Sequence, residues 1–357
     1  MPSRAAALVA AHRLFGTPAD IVRDRRVLFR ALATVVGSPL AAAADGVLDN
    51  PVVRGRLGAA FVDGGPAGTG TDLAELVASG CAVDVAGWPV RVASTPSAPR
   101  LLEPALRGVR EALRAHGDHD AGPLVVTGDR VRSVLPIVLA GIRLAVDAVP
   151  ELAGDLLQHL ALVALTDRRR SGRLGSASER DHPGLIVLPE PESPAEVAEA
   201  LVHEGTHLVF FDLGVTRELL ADGHWTAPAF RPSWAAATAP AWPMEQTFAA
   251  WHAYTALAAL AESGIDPAPG SLLPRARERA AELGEQVLHC GRYLGRDGHL
   301  FVTTLLGRAP RPAPAIGRAS AAPVLAVHRS GRRTLTVRAG HPPELVWTQP
   351  DIAAATL

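Results

Sequence analysis

A chain of 357 residues is long enough to bury a substantial core, and its 35 Lys and Arg against 36 Asp and Glu leave a net charge of -1. That balance excludes a global field drawing the protein toward nucleic acid or an anionic membrane, so neither is expected as a partner. The two cysteines, Cys81 and Cys290, lie far apart with no Cys-x-x-Cys spacing, which signals neither a disulfide framework nor a thiolate metal site.

The first residues hold a short Ala, Val and Leu run that breaks at His12 and Arg13 without a cleavage site, so no signal peptide is expected. Arg, Asp or Pro interrupts every later apolar run well short of the ~20 residues that span a bilayer. The expected location is the cytoplasm. Apolar residues at three- and four-residue spacing predict helices over residues 5–12, 21–36, 72–79, 104–116 and 131–149. The glycine-rich piece 64–70 is read as a surface loop, because no Lys follows its glycines as a phosphate loop requires.

Residues 160–165 and 185–188 read as short strands, and the polar segment 166–181 between them, with arginines at 168–170, as a solvated loop. Ser193 as N-cap, Pro194 in the first helical position and Glu196 three residues after the serine mark the clearest helix start in the chain. That helix is predicted over 194–211, with further helices over 243–263 and 274–294. The expected fold class is mostly α with a small β component (α+β). Its parts are a helical N-terminal region (1–155), a catalytic region around a metal-binding helix with a short sheet (156–307), a Pro/Ala/Arg linker (308–323) and a small C-terminal β unit (324–357). Strands are expected there at 324–328, 334–337 and 344–347.

Chemistry concentrates at His203-Glu204-Gly205-Thr206-His207, a His-Glu-x-x-His pattern on the best-capped helix. Histidines four residues apart lie on one helical face, so both imidazoles can reach one divalent ion while Glu204 is angled toward a water beside it. The glycine inside this apolar helix costs about 1 kcal/mol relative to alanine, which also points to a purpose. An open catalytic site requires a third protein ligand. The extended pattern with another histidine shortly downstream is absent, since His207 is followed by Leu208, Val209, Phe210, Phe211 and Asp212. His252 on the 243–263 helix is the first candidate. Glu245, two turns away on the same face, is the alternative, and whichever of the two does not ligate is expected to orient a ligand.

Several short elements resemble a known family. They are Pro183-Gly184-Leu185-Ile186-Val187-Leu188, the stretch from Ser193 and Pro194 to His203 and Glu204, Pro232-Ser233-Trp234, and His252-Ala253-Tyr254. Over roughly residues 160–260 the sequence resembles the HExxH-motif proteins of ribosomal peptide natural-product clusters. The resemblance implies iron(II)- and 2-oxoglutarate-dependent β-hydroxylation of a residue in a ribosomally made precursor peptide, with His203 and His207 as iron ligands. One departure concerns the co-substrate carboxylate. Where the family often has Arg after the Trp element, this chain has Ala235, Ala236 and Ala237, so Arg231 or Arg217 is expected to take that role.

Two alternatives remain open at the level of sequence. In a zinc metallopeptidase, Glu204 would be the catalytic base that takes a proton from water activated by the ion. In a non-catalytic peptide-binding protein, the C-terminal strands would pair with a peptide edge to edge.

Overall fold

The computed structural model describes residues 3–63, 80–85, 87–115, 117–120, 122–172, 174–307, 324–330, 333–338 and 344–347. The predicted loop 64–70, the helix 72–79 and the linker 308–323 lie outside the described residues. The fold is mostly helical with a small β component.

The chain opens with α1 (Arg4–Arg13) and α2 (Pro18–Val35), followed by the short α3 (Asp45–Leu48) and α4 (Pro51–Asp63). Thr17 and Asp20 form a reciprocal capping box at the start of α2, where Pro18 occupies the first turn. Next come β1 (Gly80–Val85) and β2 (Trp88–Ala93), then α5 (Ala98–Leu102), α6 (Arg107–Ala115), α7 (Asp129–Ala148) and α8 (Pro150–His159). The centre holds β3 (Leu162–Thr166), the one-turn α9 (Arg168–Ser171), β4 (Ala177–Ser178) and β5 (Leu185–Pro189). Four helices follow: α10 (Pro194–Thr216), α11 (Met244–Glu262), α12 (Ala276–His289) and α13 (Arg296–Leu305). Strands β6 (Val324–Ser330), β7 (Arg333–Arg338) and β8 (Glu344–Trp347) form a separate antiparallel three-stranded sheet.

The main sheet has the order β1-β2-β3-β5-β4, with β2, β3 and β5 parallel and an antiparallel strand at each edge. Every residue of β3 and β5 is buried, the pattern of central strands covered on both faces. Their side chains alternate between two cores. Val163, Leu165, Ile186 and Leu188 join the core built by α7, α8, α10 and α11, whereas Leu162, Ala164, Leu185 and Val187 join the one built by α2, α4, α5 and α6. The first core runs from Leu8 to Leu305 and includes Val90 and Val92 of β2, so packing continues across residues 155 and 156.

Two differences from the sequence reading have local causes. The segment 166–181 is not merely a loop. Asp167 caps α9 through the Arg169 amide, the arginines bind Glu190, Glu192, Glu196, Asp118 and Asp120, and β4 pairs with β5. Helix α10 runs past Phe211 to Thr216 because Asp212 is a buried core residue, bound to Arg25 of α2 and to His159 Nδ1 at 2.5 Å. At the other end Ser193 accepts from the Glu196 amide as expected, while the Glu196 carboxylate binds the Glu192 amide and Arg168. Among the described residues no helix is long and apolar enough to cross a membrane.

Candidate metal centre

Helix α10 is apolar almost all round and sits between α7, α8 and α11. Beyond its first turn the half-buried residues are Glu199, His203, His207 and Phe211, one every four residues, until the last turn. This stripe is where the helix meets solvent, and the two motif histidines occupy its middle. Glu199 is engaged by the Leu272 amide at 2.7 Å and by the Ser271 hydroxyl. The His203 and His207 rings lie 4.9 Å apart between centroids, and Phe211 stacks on His207 at 6.1 Å.

Gly205 has a packing role. A Cβ there would lie 3.1 Å from Leu156 Cβ, so the glycine lets α8 approach α10 closely. The propensity cost that hinted at function is thus explained by helix packing.

Glu204 is 2% exposed, and its carboxylate lies between His203 and the sheet edge. Ser176 Oγ donates to its Oε1 at 2.8 Å and Ser178 Oγ to its Oε2 at 2.7 Å, so β4 and the residue just before it clasp the carboxylate. His203 Nδ1 is 3.2 Å from Oε1. One ligand atom from each of His203, Glu204 and His207 falls within a 4.8 Å span, and these three form the metal-competent group found among the described residues.

Glu204 and His207 stand in the protonation states that bind a cation, whereas His203 leans toward the imidazolium. Burial opposes ionisation of Glu204, but His203, His207 and the Ser178 hydroxyl outweigh it and hold the carboxyl at about 2. Burial, reinforced by His203, lowers His207 to about 4, leaving a neutral imidazole with a free lone pair at neutral pH. For His203 burial works against the imidazolium, yet the adjacent Glu204 carboxylate raises it overall. His207 Nδ1 is buried without a hydrogen-bond partner, which suits a ring whose nitrogens are to be completed by a ligand. Two imidazoles and a carboxylate match the donor sets of ferrous and zinc sites alike, so these residues fit a divalent first-row ion.

Of the remaining sequence candidates, three have other partners in the structure. His252 is fully buried, its Nε2 sharing a hydrogen bond with His12 Nε2 at 2.8 Å and its ring edge-on to Phe301 at 5.0 Å. Burial, His12 and His207 hold it well below the usual histidine value. Glu245 is paired with Arg180 at 2.8 Å. Arg217 binds Asp24 at 2.8 Å and the Phe15 carbonyl at 2.9 Å, and Arg231 is exposed. None of the four joins the His203, Glu204 and His207 group. Sequence reasoning missed Ser176 and Ser178, because a two-residue strand is too short to show alternation. No protein-family model and no curated protein sequence matches the chain.

Proposed function

We propose that the chain is an iron(II)- and 2-oxoglutarate-dependent oxygenase that hydroxylates a β-carbon in a ribosomally made precursor peptide, with His203, His207 and Glu204 as the iron-binding side chains. Its balance is peptide C–H, O2 and 2-oxoglutarate giving peptide C–OH, succinate and CO2. Bound iron supplies the redox chemistry that couples oxidative decarboxylation of the co-substrate to insertion of one oxygen atom. The protein's part is to hold three donors on one side of the ion and leave the other positions open.

The resemblance over residues 160–260 and the absence of a third histidine shortly downstream of the motif favour this reading over the zinc peptidase, and the donor group is compatible with it. Glu204 is the carboxylate that groups with the two histidines among the described residues, and both of its oxygens are held by serines. With Glu204 as the third ligand an oxygenase needs no further base, whereas a peptidase of this pattern needs Glu204 itself free to take a proton. The resemblance over residues 160–260 supplies the peptide substrate and the co-substrate.

The test is anaerobic. Protein loaded with ferrous iron and 2-oxoglutarate is expected to show the visible charge-transfer band of a chelated complex, absent in His203→Ala. Glu204→Gln separates the two readings: it should lose iron affinity as a ligand variant, while a peptidase would keep zinc and lose only hydrolysis. Full metal retention by Glu204→Gln, with peptide cleavage by the wild type, would replace the oxygenase with the peptidase.

A further inference from the structure

We infer that Arg279 of α12, framed by Trp234 and Tyr254, is a carboxylate-binding site beside His203. Its guanidinium carbon lies 5.2 Å from the Trp234 ring centroid and 5.4 Å from that of Tyr254. One terminal nitrogen donates to the Tyr254 hydroxyl at 2.8 Å, and the buried Nε has no acceptor. No carboxylate pairs with Arg279 among the described residues. The acids nearest to it on α12 are engaged: Glu278 pairs with Arg275, and Glu282 accepts from the Ser233 amide and hydroxyl, both at 2.6 Å.

The half-buried guanidinium meets only a neutral hydroxyl, its charge has no counter-ion among the described residues, and its buried Nε, left unsatisfied, costs about 1–3 kcal/mol. The second terminal nitrogen is the donor open to an incoming carboxylate, which would form a charge-assisted hydrogen bond there and pair with the guanidinium. One cation between two aromatic faces suits a single carboxylate group.

The fold holds the frame in place. Phe230 and Trp242 exchange backbone hydrogen bonds, tying off the loop 231–241, and Glu282 anchors Ser233, the residue before Trp234. Trp234 packs on Tyr254 at 5.9 Å, and Tyr254 lies 6.0 Å from His203. A single aromatic ring therefore separates the guanidinium from the metal-binding pair. The assignment rests on the metal reading only for that adjacency; carboxylate binding itself needs no ion.

The carboxylate has two possible sources, a small dicarboxylic acid or an acidic side chain of a peptide. Titration of the metal-free protein with succinate, and separately with an acetylated and amidated Ala-Asp-Ala peptide, distinguishes them. Arg279→Met is expected to weaken whichever of the two binds by at least about tenfold, and Arg279→Lys to recover only part of that, because lysine keeps the charge and loses the planar stacking that positions it. Succinate as the affected ligand assigns a small-molecule subsite, and the aspartyl peptide assigns substrate recognition. Wild-type binding of neither probe, or equal binding by Arg279→Met, would overturn the inference and leave Arg279 as a clamp on Trp234 and Tyr254. If Arg279→Met does not fold, Arg279→Lys is read against wild type alone. Metal titration of Arg279→Lys should match wild type, so failure of this site is distinguishable from failure of the metal site.

Discussion

The carboxylate of Glu204 has about four lone-pair positions, and two are filled by Ser176 and Ser178. The serines fix the plane of the carboxylate and leave the remaining positions for an ion or a proton. Partners of this kind orient ligands, and their loss typically costs roughly 10- to 100-fold in metal affinity. The double variant Ser176→Ala with Ser178→Ala is therefore expected to bind metal more weakly by that factor in a competition titration, while His203 and His207 remain intact. Unchanged affinity would show that the clasp plays no part in metal binding.

Two glycines with opposite surroundings test the packing of whole helices. Gly141 lies where α7 crosses the start of α10, and a Cβ there would overlap Val197 and approach the Pro194 carbonyl to 2.6 Å. Gly141→Ala is expected to push the helices apart and lower stability by about 1–3 kcal/mol. Gly58 in α4 has nothing within 4 Å of the same position, so Gly58→Ala should gain up to ~1 kcal/mol of helix propensity. Thermal unfolding of the pair should shift in opposite directions. A second contact between elements is ionic. Asp212 of α10 is held below its usual value against burial, chiefly by Arg25 of α2 and by His159. Asp212→Asn should destabilise by about 1.5–3 kcal/mol, since the buried Arg25 keeps Asp49 at 3.3 Å but loses its second carboxylate, and equilibrium denaturation would measure it.

Buried neutral histidines make the stability of the whole molecule depend on pH. Burial, with His159 and Arg13 nearby, lowers His12 to about 3, while an unfolded histidine takes up its proton near 6.5. Between those values the unfolded state binds one more proton, so stability rises with pH and is lost as pH falls from about 6.5 toward 3. The slope is about 1.4 kcal/mol per pH unit for each such group. Urea unfolding of metal-free protein at pH 7, 6 and 5 should follow this trend, and His12→Leu should make it shallower. A profile in which wild type and variant run parallel would remove His12 from the account.

What the sequence determined by itself was local. A histidine pair four residues apart on a helix capped by Ser193 follows from helical periodicity and capping, and the two fully apolar strands β3 and β5 from unbroken runs of buried residue types. The α+β class follows from the same patterns. Only the tertiary structure shows which carboxylate lies within reach of the two histidines. His252 and Glu245 have the right spacing on their own helix, but periodicity says nothing of the rotation of α11 against α10. Packing turned His252 toward His12 and Phe301 and gave Glu245 to Arg180. Ser176, Ser178 and Arg279 were invisible for the same reason: each reaches the site across 24 or more residues of chain, through contacts set by sheet pairing and helix docking.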